Sequence, residues 1–222
     1  MANAGFTRDE AILALDVLYF HGDESLNSKS PIIIELSELL NGLPIHKKES
    51  RNNIFRTPSG VLKQILSFRS SYQKGKKDTN VGKIFYEVAN EYSDRLDELH
   101  DIANAIKSNI NCYDDVMFGN MWENDSFPEG ALLGHLHRII EKRDSAKLEK
   151  ETRCTICKIN TADIYFRCPD LMSMHLTVPI TELDGKKKYS ERDYITVCPN
   201  CHAALHQSRP WLSIKNVDEL LK

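Results

Sequence analysis

Six residues near the C-terminal end of the chain have the types and spacing to bind metal: Cys154-x2-Cys157, Cys198-x2-Cys201 and, fused to the second pair, His202-x3-His206. A CxxC turn presents two thiolates to one ion, and two such turns close a tetrahedral shell. Cys154, Cys157, Cys198 and Cys201 are therefore expected to hold a structural Zn2+, and a module this small depends on such an ion for its fold. His202 and His206 cannot join that filled shell. At i and i+4 they share one face of a helix and can grip a second ion. His175, ahead of Pro179, is a third candidate ligand. Cys112 and Cys168 are left over, and both are expected to be buried thiols. A redox role for the CxxC pairs would need a βαβ context that the sequence lacks.

The elements that must position these residues follow from periodicity. Ile164–Phe166, Leu171–Leu176 and Tyr194–Val197 read as short β segments, and Cys201–Gln207 as the start of a helix. Ala131–Lys150 reads as a charged helix leading into the metal region. Upstream, Thr7-Arg-Asp-Glu10 has the form of a capping box before an apolar run from Ala11 to Phe20. Ile32–Leu40 and Val61–Arg69 read as a second and a third helix. Val81–Ile110 carries a continuous apolar stripe expected of one long helix. The organisation expected is α+β: an α-helical domain over 1–110, a linker over 111–128, and a small zinc-stapled domain over 129–222.

Charge adds a partner class. The chain of 222 residues has a formal net charge of −3, but Leu43–Lys77 holds nine Lys or Arg against one acid. A strongly basic segment in an otherwise acidic half is the footprint of a polyanion contact. Arg51, Arg56, Lys63, Arg69, Lys74, Lys76 and Lys77 are the expected phosphate contacts. No apolar run is long enough to span a membrane, the N-terminus lacks the pattern of a secretory signal, and paired cysteines with metal spacing fit a reducing compartment. A cytoplasmic location is expected.

The C-terminal motifs, taken in order, resemble the HNH (ββα-metal) endonucleases of the McrA-like, modified-cytosine restriction type. The segments that carry the resemblance are Cys154-x2-Cys157, Leu171–Leu183 with His175 and Pro179, Asp193–His206, and Arg209-Pro-Trp-Leu-Ser213. The N-terminal stretch 7–69 more loosely resembles a helical head domain found in front of some bacterial HNH restriction proteins. The resemblance implies metal-dependent hydrolysis of double-stranded DNA, modified or unmodified, in restriction or phage defence. It implies Mg2+ or another divalent ion on His175, His202 and His206, with His175 at the catalytic position. Double-strand cutting from one site per chain would call for a homodimer. The family carries a His-His pair where this chain has His175-Leu176. In the gap-free register His175 matches the metal ligand and Leu176 replaces the general base. In a register slipped by one residue, His175 is the base and Met174 the lost ligand. Either way one catalytic histidine is missing, which predicts impaired or unusual hydrolysis, or a domain kept for binding. His21, His46, His100, His135 and His137 are expected to be surface or capping histidines.

Overall fold

The computed structural model describes residues 4–22, 25–46, 51–113, 131–165, 167–168, 170–207 and 221. The chain is mixed α+β, mostly helical with one small two-stranded sheet, and it divides into two compact units, 1–124 and 125–222. Most of the expected linker, both tryptophans and the Arg209–Ser213 motif lie outside the described residues.

Unit 1 is built around α1 (Arg8–His21). The capping box forms as the sequence predicts: the Glu10 amide donates to Thr7 Oγ1, and the Thr7 amide donates to the Glu10 carboxylate at 2.8 Å. Every residue of α1 from Asp9 to Leu18 is buried, as expected for a helix enclosed on all sides rather than lying on a surface. It packs against α2 (Pro31–Gly42), α3 (Pro58–Gln73), α4 (Lys83–Glu91) and α5 (Leu96–Ser108). The single long helix expected over 81–110 is two helices. Tyr92–Arg95 form a turn, in which the Arg95 amide bonds the Tyr92 carbonyl and the Arg95 guanidinium bonds the Glu91 carbonyl. The apolar stripe runs through unbroken because α4 and α5 both lay their buried faces, Phe85 and Val88 on one and Leu99, Ile102 and Ile106 on the other, toward the same core.

Enclosing α1 brings acids inside, and Glu10 and Asp16 have cationic partners. Glu10, with a fully buried side chain, takes both oxygens to the Arg56 guanidinium at 2.6 and 2.9 Å and bonds His46 at 3.1 Å. Burial raises the Glu10 pKa, but the bonds from His46 and Arg56 outweigh it and hold the carboxyl below its usual range. Asp16 takes His100 and Lys107 at 2.6 and 2.7 Å.

Among the described residues, unit 2 has less regular structure. Helix α6 (Ala131–Ser145) ends five residues before the expected boundary, and α7 (Thr161–Ile164) is a single helical turn capped by Asn160 that takes in Ile164, the first residue of the expected β segment 164–166, whose Phe166 lies outside the described residues. Strands β1 (Ser173–Leu176) and β2 (Tyr194–Val197) pair antiparallel, Ser173 opposite Val197 and Leu176 opposite Tyr194. Helix α8 (Pro199–Gln207) follows β2 after Cys198, and both α6 and α8 pack on β1. Leu132, Leu133, Leu136 and Ile140 of α6 are buried, as are Leu176 and Ile180. A second core cluster contains Cys154, Ile156, Met172, Val197, Cys198, Cys201 and Leu205.

Candidate metal centres

The first cluster is the expected one. One turn supplies Cys154 and Cys157, closed by a hydrogen bond from the Lys158 amide to the Cys154 carbonyl and one from the Cys154 amide to the Ile159 carbonyl. Lys158 sits at φ 61°, the left-handed conformation that a non-glycine residue takes only where its surroundings hold it. The end of β2 and the first turn of α8 supply Cys198 and Cys201. The turn is tied to the sheet by the Thr155 amide on the Thr196 carbonyl. The four sulfurs lie within 4.8 Å of one another, and Cys157 and Cys198 approach to 3.6 Å. Thiolates at about 2.3 Å from a shared Zn2+ stand about 3.8 Å apart, so the group fits an ion such as zinc. Although burial works against it, backbone amides from Cys198, Cys157 and Ile156 bring the Cys154 thiol down to about 7. Cys157 and Cys201 are pushed up, chiefly by burial. Cys112 is half-buried, and Cys168 is exposed rather than buried as expected.

The second cluster brings together His175, His202 and His206, and adds Glu141, which the sequence reading passed over as part of a charged helix. The signal was available: His137 and Glu141 stand at i and i+4, the same spacing that singled out His202 and His206. Glu141 Oε1 lies 3.0 Å from His175 Nδ1, and Oε2 lies 3.5 Å from His202 Nε2 and 3.7 Å from His206 Nε2. The Leu176 amide donates to Oε1 at 2.9 Å and fixes the carboxylate. Burial opposes its ionisation, yet the imidazoles of His175, His202 and His206 around it hold it far below the usual carboxylate range. The Nε2 atoms of His202 and His206 are 2.9 Å apart. Nitrogens at about 2.1 Å from a shared ion reach about that separation when they subtend near a right angle. Buried His175 is held below the usual imidazole range, mainly by desolvation.

His135 and His137 are not surface residues. His137 is fully buried, its Nε2 bonds the Leu176 carbonyl at 3.1 Å, and desolvation drives its pKa down to about 3. Its Nδ1 lies 3.5 Å from Glu141. His46 and His100 are bound to Glu10 and Asp16. The Leu176 side chain is fully buried, and its two backbone groups hold Glu141 and His137.

The described cations of the basic segment are of two kinds, Lys47 and Lys48 lying outside the described residues. Lys63, Lys74, Lys76 and Lys77 are exposed. The last three line a cavity of about 410 Å3 at the C-terminal end of α3, and Lys63 lines another of about 560 Å3 beside it. Gly75, at φ 62°, makes the turn between these lysines, a conformation glycine takes without strain. Arg69 is half-buried and bonds the Gly22 carbonyl. Arg51 and Arg56 do not lie along an outer face as expected. Arg56 is 6% exposed, at φ 45°, and is spent on Glu10 and the carbonyls of Ala4 and Gly5, with its guanidinium 3.9 Å over the Phe6 ring. Arg51 bonds the carbonyls of Asn41, Leu43 and His46. A buried acid on α1 and the backbone ends of α2 claimed these guanidinium groups.

No helix among the described residues is long and apolar enough to cross a membrane. Compared with protein-family models, curated proteins and solved structures, the chain finds no match.

Proposed function

We propose that the chain is a divalent-metal-dependent endonuclease of the HNH (ββα-metal) kind, hydrolysing phosphodiester bonds in double-stranded DNA in restriction or phage defence. The observation that carries this reading is the convergence of His175 from β1 with His202 and His206 from α8 beside a complete thiolate set. A β-hairpin followed by a helix delivers the two ligand groups side by side. An ion held there would polarise a phosphoryl oxygen and acidify a bound water. Three neutral imidazoles and one carboxylate leave a divalent ion with net positive charge, suited to an anionic phosphodiester. The exposed Lys63, Lys74, Lys76 and Lys77 of unit 1 are the phosphate-tracking residues in this reading, which excludes Arg51 and Arg56.

A second reading has its own observation. In the gap-free register of the resemblance Leu176 occupies the position of the base, and its side chain is in the core. Loss of a general base costs about 10²–10⁴ in rate, so the domain could be retained for holding DNA. Cleavage of modified and unmodified plasmid with Mg2+, Mn2+, Co2+ and Ni2+ decides between the two. Cutting by wild type and none by His202→Ala is the outcome expected of the endonuclease. Activity that survives His202→Ala removes this site from the reaction, and DNA retention without cutting under any ion favours the second reading.

A further inference from the structure

We propose that Glu141 and Ser173, neither of which belongs to the ligand set implied by the resemblance, complete the second metal centre, Glu141 as a direct ligand and Ser173 as a positioning residue, and that the completed set takes a nitrogen-preferring divalent transition ion and rejects Mg2+. The inference rests on the metal site of the proposed function but not on nuclease activity.

The geometry of Glu141 is that of a ligand rather than a bystander. Its carboxylate stands between all three histidines, at 3.0 to 3.7 Å from their nearest ring nitrogens, and the Leu176 amide occupies one oxygen from the side. Helix α6, which carries it, packs on β1, so the carboxylate is delivered by a rigid element. That placement makes the site a set of three imidazoles and one carboxylate.

Ser173 acts through His202. Ser173 and His175 are two residues apart on β1 and share a face of the strand. Ser173 Oγ lies 2.9 Å from His202 Nδ1 and 3.5 Å from the Val197 carbonyl across the strand pair. With its own hydrogen directed to the carbonyl, the hydroxyl accepts from His202 Nδ1–H. That places the His202 proton on Nδ1 and leaves the Nε2 lone pair facing Glu141 and His206 Nε2. A second partner that fixes the tautomer of a ligating histidine is a recurrent part of metal sites.

The ligand chemistry then sets the ion. Mg2+ is a hard ion that keeps oxygen ligands and several waters, whereas imidazole suits zinc, copper, iron and nickel, and affinities of nitrogen sites rise along the first transition row. Three imidazoles in one cluster, His175 buried and His202 and His206 half-buried, are a poor replacement for the water shell of Mg2+.

The test is a titration of the full chain, its thiolate site loaded with Zn2+, with Co2+ followed by visible absorption. Expected is one further Co2+ with nitrogen–oxygen bands and no sulfur charge-transfer band, which Ni2+ or Zn2+ displaces and a roughly hundredfold excess of Mg2+ does not. Ser173→Ala should bind Co2+ about 10–100-fold more weakly, with Ser173→Thr restoring it because the hydroxyl returns. Glu141→Gln should weaken binding and change the band shape, with far-UV circular dichroism confirming the fold. Displacement by equimolar Mg2+, wild-type affinity in Glu141→Gln, or equal affinities in Ser173→Ala and Ser173→Thr would each overturn the proposal. Selective binding without DNA cleavage leaves it standing and removes the nuclease reading; cleavage with Mg2+ and no selectivity does the reverse.

Discussion

Unit 1 encloses α1 within four other helices and meets the charge it buries with its own cations, Arg56 for Glu10 and Lys107 for Asp16. Unit 2 gathers a carboxylate and three histidines in one place and four cysteine sulfurs in another, around strands of four residues each. Three of the seven buried members of its second core cluster are the cysteines themselves. The first unit is stabilised by packing that the chain supplies alone. The second gathers two groups of side chains that could each hold an ion. Within unit 2 the contrast repeats. Four thiolates around a divalent ion leave a negative, closed site, while three imidazoles and a carboxylate leave a positive one able to attract an anion.

The largest effect should come from removing metal. A strong chelator at neutral pH should unfold unit 2 and leave unit 1 intact, because apparent binding energies of structural zinc reach about 10–16 kcal/mol and act as folding energy. Limited proteolysis should then cut between 131 and 207 while a helical fragment from the first 113 residues persists. A protease-resistant unit 2 after complete zinc removal would end the contrast.

The complementary break is in unit 1. Glu10→Gln leaves the Arg56 guanidinium buried without its counter-charge, which typically costs about 3–5 kcal/mol. Thermal unfolding of unit 1 should fall accordingly, with the zinc content of unit 2 unchanged. The same pair predicts acid lability. The folded-state pKa of Glu10 lies below the ordinary glutamate value of 4.5. Its contribution is therefore fully present above that value and is lost as pH falls through the folded-state value. Denaturation of Glu10→Gln should show a flatter acid limb than wild type. An unchanged limb would mean that other carboxylates control it.

How much of this was legible differs between the units for the same physical reason. Helix existence was local: the Thr7–Glu10 capping box and the apolar stripes act within a few residues. The thiolate site was also legible, since each CxxC carries its own turn. What sequence could not show was pairing across distance. Glu10 was visible as a cap but not as the partner of Arg56, 46 positions away. Reading charge along the chain therefore assigned Arg51 and Arg56 to an outer face, when tertiary packing had taken them inward. Glu141 was missed likewise, because a carboxylate on a charged helix carries no mark of the strand it will meet. The break at Tyr92–Arg95 was hidden because a turn between helices that cover one core preserves the stripe.

The smallest effect concerns the basic face, and it tests whether unit 1 divides its cations as described. Each phosphate neutralised contributes about −0.9 to the slope of log affinity against log salt. Lys63, Lys74, Lys76 and Lys77 are exposed, so replacing each by Ala should reduce the magnitude of that slope by about one, with unfolding temperature unchanged. Arg51 should behave oppositely. Its guanidinium ties three backbone carbonyls together, so Arg51→Ala should lower the stability of unit 1 and leave the salt slope of the folded protein where it was. A duplex with no modification suits the measurement, because backbone contacts carry no sequence information. If the lysine variants leave the slope untouched, the exposed lysines are a solvated face, and DNA contact must be sought on unit 2. If Arg51→Ala flattens the slope while the fold stays intact, the inward placement does not persist on DNA, and the division between holding the fold and holding the phosphate is lost.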